Sequence, residues 1–117
     1  VRSVELNISQ RCAAHIGSAT DIDESVMVGK SAVRAAADGV SRAMMTILRT
    51  EGEEYCSYIG SSDVSKIANQ TKHVNDEYIN ERGNNVTDEC CRYLAPLIVG
   101  EATPDYVGGL PAFYSFD

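Results

Sequence analysis

Residues 21–39, DIDESVMVGKSAVRAAADG, leave little choice of local structure. Ile22, Val26, Gly29, Val33, Ala36 and Ala37 recur three or four positions apart, the spacing of one face of an α-helix. Asp21, with Glu24 three residues later, is close to a capping box, and acids this early suit the positive end of a helix. Gly39 falls where a left-handed residue closes helices. A stripe of Ala and Gly predicts close packing against a sheet. The flanks are strand-like. SVELNIS, 3–9, alternates and is β-branched; RAMMTILRT, 42–50, turns Met44, Met45, Ile47 and Leu48 to both faces, which predicts a strand covered on both sides. Strand, helix and covered strand in this order predict a βαβ unit with a right-handed crossover. The expected fold is α/β, a mixed and mostly parallel sheet with flanking helices.

Downstream, EGEE at 51–54 reads as an exposed acidic turn and YCSYI at 55–59 as a further short strand. SSDVSKIAN, 61–69, predicts a short capped helix, and INERGNN, 79–85, a turn. Thr87 caps a last helix over 88–100, in which Cys91, Leu94, Ala95 and Ile98 share a face, Pro96 kinks or tightens the chain and Gly100 ends it. The tail, EATPDYVGGLPAFYSFD, is irregular but aromatic, and is expected to pack back on the body or on a partner surface. At 117 residues, with no repeat, low-complexity tract or long linker, the chain reads as one segment, 1–117. The abrupt start, VRSVELNIS without an initiating Met, reads as a piece of a longer chain.

A formal net charge of −7 argues against a nucleic-acid groove, which needs a basic face, and against an anionic membrane surface. No apolar run approaches the roughly 20 residues of a membrane span. An anionic ligand would need a local basic spot such as Arg11. Cys12, Cys56, Cys90 and Cys91 fit no CxxC zinc framework, and the expectation is reduced thiols in a cytoplasmic protein. The alternative is a secreted, disulfide-stapled binding domain, since four cysteines accompany formal glycosylation sequons at Asn7, Asn69 and Asn85.

Residues 8–17, ISQRCAAHIG, bring the most chemistry together. Arg11 ends the expected first strand, where open α/β sheets bind ligands, and its guanidinium fork suits a phosphate; the plainer alternative is a surface ion pair. Gln10 could orient a sugar hydroxyl or face solvent. Cys12 and His15 offer a thiol and a base, but no oxyanion donor is visible and a buried thiol beside a loop imidazole explains them as well. Zinc would need Cys12, His15 and the Cys90–Cys91 pair to converge. Gly29-Lys30-Ser31 resembles the end of a phosphate loop, but Ser25 stands where that motif needs glycine and the tripeptide lies mid-helix. Glu51, Glu53 and Glu54 could attract a hard cation, although such turns are usually solvated. The residues name no catalytic group and no metal ligand.

A wider pattern runs through Gln10-Arg11, Asp21, Glu24, Val28-Gly29, Ala32-Val33, Ala36, Gly39 and Met44. It continues through Val64, Ile67-Ala68-Asn69, Tyr78-Ile79-Asn80, Gly83, Val86-Thr87, Tyr93 and Pro96-Leu97-Ile98. In this order the residues resemble the C-terminal part of phosphofructokinases, most closely the pyrophosphate-dependent branch. The resemblance implies a phosphofructokinase-like fold. It also implies a glycolytic kinase, a transferase that moves a phosphoryl group with Mg2+ from pyrophosphate to the 1-hydroxyl of fructose 6-phosphate. It implies, too, a homo-oligomer as the full-length enzyme. The alternatives are a segment of an ATP-dependent phosphofructokinase or of a noncatalytic paralogue. In that family a Gly-(His or Tyr)-x-Gln-Arg stretch meets the sugar phosphate. Ile8, Gln10 and Arg11 therefore stand at the substrate-binding positions, with Arg11 expected on the 6-phosphate. The sequence departs from the pattern at Asn7, where glycine is usual, at Ile8, where a polar ring is usual, and at Arg42, often glycine. The family's glycine-rich loop, Thr-Ile-Asp-x-Asp segment and Met-Gly-Arg loop are expected upstream, so the segment alone is expected to be inactive.

Overall fold

The computed structural model describes residues 2–52 and 54–116. The first element is a short helix, α1 (Asn7–Arg11), followed by a 3-10 turn at Ala14–Ile16. The strand expected over 3–9 is absent. A strand's N–H and C=O groups need a neighbouring strand, and none of the described strands lies beside this stretch. The backbone is satisfied locally instead: Gln10 N–H donates to Leu6 O at 3.1 Å and Cys12 N–H to Ile8 O at 2.9 Å.

The long helix, α2 (Ala19–Ala37), starts before the expected acidic pair. Ser18, extended at φ −88° and ψ 145°, is its N-cap and accepts from Asp21 N–H. The far end follows the sequence closely. Gly39, at φ 78°, donates to Ala36 O at 3.1 Å, and Val40 N–H reaches back to Ala35 O at 2.9 Å, a Schellman closure. The packing face is a correction. Glu24 is buried, and Met27, Val28, Ser31 and Ala35 are half-buried, at helical spacing. At about 100° per residue this face is opposite the expected stripe of Ile22, Val26 and Val33, which stays exposed. A helix apolar on both sides has two faces able to pack, and periodicity cannot say which one meets the sheet.

Strands β1 (Ala43–Arg49) and β2 (Ser57–Asp63) form an antiparallel hairpin in register from Ala43↔Asp63 to Arg49↔Ser57. The expected βαβ unit and parallel pairing are therefore not found among the described strands. The EGEE stretch closes this hairpin, which lets neighbouring strands run in opposite directions without a crossover; Glu53 lies outside the described residues. Thr50 fastens the hairpin end, donating from N–H at 2.9 Å and Oγ1 at 3.0 Å to Cys56 O. α2 packs on this hairpin, yet Met44, Ile47 and Leu48 remain half-exposed, so β1 is not covered on both faces. Asn7 at φ 20° and Arg42 at φ 63° hold positive φ at two positions where the resemblance expects glycine, the residue that adopts it without a Cβ penalty.

The capped helix expected after β2 is a single 3-10 turn, Val64–Lys66, whose cap Asp63 accepts from Ser65 N–H at 2.8 Å. Those Ser65 contacts hold the Asp63 carboxyl below its ordinary pKa. Thr87 caps α3 (Asp88–Leu94), accepting from Cys90 N–H at 3.4 Å, and the chain tightens at Pro96 into a 3-10 turn, Ala95–Ile98. Cys90 is the residue α3 buries; Cys91, Leu94 and Ile98 are exposed, which corrects the expected face. The tail forms a two-residue hairpin, β3 (Tyr106–Val107) with β4 (Leu110–Pro111). Its start meets the body, with Glu101 bridging to Ser18, but its aromatic end stays open: Phe113, Tyr114 and Phe116 are exposed, and the last two rings meet edge to face at 4.9 Å.

Only Cys90 and Glu24 are buried among the described residues. The radius of gyration is 17.8 Å, against about 13 Å for a compact domain of this length. Hydrogen bonding and half-buried contacts, rather than a closed apolar core, hold these elements together.

Candidate functional site

A groove of about 1480 Å3 opens where α1 and the 14–16 turn face the N-terminal end of α2 and the segment after α3. Gln10, Arg11 and His15 line one wall; Ser18, Asp21 and Glu101 line the other. The second wall is tied across the sequence. Ser18 Oγ donates to Leu97 O at 2.5 Å, Thr20 Oγ1 to Val99 O at 3.0 Å, and the N–H groups of Ala19 and Thr20 to Gly100 O and Val99 O at 3.1 and 3.3 Å. Gly100, at φ 83°, permits this approach: a Cβ there would stand 2.7 Å from Ala19 Cβ.

These ties decide what can meet an anion. A helix N-terminus attracts phosphate through its unpaired N–H groups. In α2 those groups are taken by Gly100 O, Val99 O and Ser18 Oγ. The side chain with a fixed positive charge that lines the groove is Arg11. The only ion pair among the described residues is Arg92 with Glu89, at 2.6 Å, so none of the described acids forms the surface pair that was the plainer reading of Arg11. The first cause of the lowered Glu89 carboxyl pKa is its own backbone N–H, followed by the Arg92 charge.

The structure thus brings Gln10 and Arg11 together in the groove and leaves Ile8 out of its walls, an exposed side chain one helical turn before Arg11. His15 lines the groove and Cys12 does not, and Cys12 is an exposed free thiol. All four cysteines are free thiols. Gly29-Lys30-Ser31 lies mid-helix in α2, as its sequence position predicts. No three His, Cys, Asp or Glu side chains converge on a metal position among the described residues. No described helix is long and apolar enough to cross a membrane.

One constellation escaped the sequence reading. The Tyr55 hydroxyl donates to Oε1 of buried Glu24, and the Arg49 guanidinium lies over both the Tyr55 and Tyr93 rings. The Glu24 hydrogen bond, with burial second, raises the Tyr55 pKa above its ordinary value of 10.0, so the phenol is a fixed donor at neutral pH. The spacing 24, 27, 28, 31, 35 carries the signal, but a charged residue at its head disguises it.

No protein-family model matches the chain. Curated relatives do. The chain is 41% identical over 104 residues to the pyrophosphate–fructose 6-phosphate 1-phosphotransferase of Methylococcus capsulatus, covering 89% of this chain and 25% of that one. It is 40% identical over 102 residues to the enzyme of the same name from Halomonas elongata, covering 87% and 24%. The solved pyrophosphate-dependent phosphofructokinase of Nitrosospira multiformis superposes with a TM-score of 0.85 at 38% identity, over 93% of this chain and 27% of that one. That of Marinobacter aquaeolei gives 0.83 at 41% identity, over 92% and 27%. The segment is phosphofructokinase-like. It is similar to the pyrophosphate-dependent branch in sequence and in fold, and the expected α/β class stands on this match. The chain spans about a quarter of the length of the curated relatives it matches.

Proposed function

We propose that this phosphofructokinase-like segment belongs to a glycolytic phosphotransferase that moves a phosphoryl group from pyrophosphate to the 1-hydroxyl of fructose 6-phosphate. The observation that carries the reading is the name shared by relatives 36–41% identical over most of this chain. On this reading the segment is the C-terminal part, and it supplies substrate recognition. Arg11 grips the non-reacting 6-phosphate with its planar fork, and Gln10 beside it orients the sugar. Both line the same groove, which supports the assignment. Ile8, exposed and apolar, adds no donor there. Metal carboxylates and the catalytic base then lie in parts of the enzyme outside these residues, so Mg2+ is bound elsewhere. A homo-oligomer in the cytoplasm is the setting this reading expects.

The test is substitution in the full-length enzyme. Hydrogen bonds to charged groups contribute about 1.5–3 kcal/mol each, so Arg11→Ala is expected to lower kcat/KM for fructose 6-phosphate roughly 10- to 200-fold. Arg11→Lys keeps the charge, loses the fork and falls between. Since the 6-phosphate does not react, most of the loss is expected in KM, with KM for pyrophosphate nearly unmoved. An Arg11→Ala enzyme with unchanged fructose 6-phosphate kinetics removes Arg11 from the site. A full-length protein that does not use pyrophosphate and fructose 6-phosphate refutes the activity.

A further inference from the structure

The two elements that form the second wall, α2 and the segment after α3, are joined a second time by side chains that do not line the groove. Glu24 is on α2, one turn past Asp21, and is 7% exposed, although it is a carboxylate. Burying a charge without a partner is unfavourable, and the Tyr55 hydroxyl is that partner. The Tyr55 ring in turn carries the Arg49 guanidinium, 4.7 Å from its centroid. On its other contact Arg49 stands 4.2 Å from the Tyr93 ring centroid, and its Nη2 donates to Tyr93 O at 2.7 Å. Tyr78 stacks on Tyr93 at 5.4 Å. Arg49 forms no ion pair among the described residues; its charge meets two π faces and a carbonyl instead. The chain of contacts runs from α2 through the loop end of the β1–β2 hairpin to the last turn of α3, four residues before Leu97.

We propose that Glu24, Tyr55 and Arg49 are positioning residues that set the width of the groove for the sugar phosphate. This rests on the function proposed above. Glu24 and Asp21 sit one turn apart on a continuous helix, about 4.5 Å along its axis, so a shift at Glu24 is passed rigidly to the groove. Arg49 applies the same constraint from the other element, because Tyr93 leads directly into the 95–98 turn and the 97–101 wall. Displacing a positioning group by about 1 Å can lower turnover as much as 100-fold when the reacting geometry depends on it. Here only the phosphate-holding groove moves, so a smaller effect confined to one substrate is expected.

The experiment uses the full-length enzyme with three substitutions. Tyr55→Phe removes the hydroxyl donor and keeps the ring over Arg49. Glu24→Gln keeps an acceptor oxygen for Tyr55. Arg49→Lys keeps the charge and loses the planar stack. Steady-state constants for both substrates, fructose 6-phosphate binding by calorimetry and the thermal midpoint are measured for each. Tyr55→Phe and Arg49→Lys are expected to raise KM and Kd for fructose 6-phosphate about 5-fold, with KM for pyrophosphate within about 2-fold. Glu24→Gln is expected to stay within about 2-fold on every constant, a rescue by the conservative change. A lowered thermal midpoint with unchanged fructose 6-phosphate constants would mean a merely structural cluster and overturn the proposal. So would both substrates weakening together. If one variant does not fold, the other two decide on the same criteria. A wild-type enzyme that neither binds nor turns over fructose 6-phosphate overturns the proposed function and this inference with it. Binding that is intact in wild type and equal in all variants overturns this inference alone.

Discussion

Every backbone hydrogen bond that shapes the Arg11 side of the groove joins residues four or fewer positions apart, from Gln10 to Leu6 and Cys12 to Ile8 through to Ile16 and Ala13. On the facing side, Ser18 and Thr20 bond to Leu97 and Val99, each 79 positions away. Gln10 and Arg11 thus ride on turns held by local hydrogen bonds, while the surface opposite them exists only once distant parts of the chain have met. Exchanging the exposed side chains of the local wall is expected to cost folding little. The other wall is sensitive to changes that carry no chemistry at all.

The sharpest way to break this contrast is Gly100→Ala. The new methyl would meet Ala19 Cβ at 2.7 Å on a backbone already at φ 83°. Left-handed strain plus the clash is expected to destabilise the full-length enzyme by about 3 kcal/mol in denaturant unfolding, and to weaken fructose 6-phosphate binding as well. A Gly100→Ala enzyme of normal stability would mean that the two segments separate freely. Ser18→Ala is the intermediate case. It removes the N-cap of α2 and the donor to Leu97 O together, so a loss of about 1–2 kcal/mol is expected, read from the same unfolding curves. Ile8→Ala is the smallest. Ile8 is 76% exposed on the local wall and outside the groove lining. Stability within about 0.5 kcal/mol and an unaltered KM for fructose 6-phosphate are expected. A several-fold rise in that KM would place the Ile8 side chain against substrate and blur the distinction between the walls.

The same contrast explains which elements were legible. Gly39, Thr87 and Pro96 act through partners within five positions, and each does what its residue type predicts: a left-handed closure, a cap on Cys90 N–H and a tightened turn. Gln10 and Arg11 were legible as candidates because their spacing follows a pattern, and the fold puts both in one groove. The expected strand over 3–9 failed because alternation describes a residue's two faces and not whether a neighbouring strand is there to pair with. The buried Glu24 was illegible because a carboxylate is read as solvent-facing until its phenol partner, 31 positions along, is brought to it.

The sequence by itself determined where α2 ends, that Thr87 caps α3, and which short stretch holds the groups suited to a phosphate. These follow from φ preferences, local hydrogen bonding and side-chain chemistry, all of which act over one or two turns. Only the tertiary structure decided that β1 pairs antiparallel with β2, that α2 packs through Glu24, Met27, Val28, Ser31 and Ala35, and that Leu97–Gly100 closes the groove over the helix start. Each of those outcomes is a choice among faces and partners that are nearly equivalent locally. The choice is made by which distant groups satisfy one another's hydrogen bonds, and a linear pattern does not contain that information.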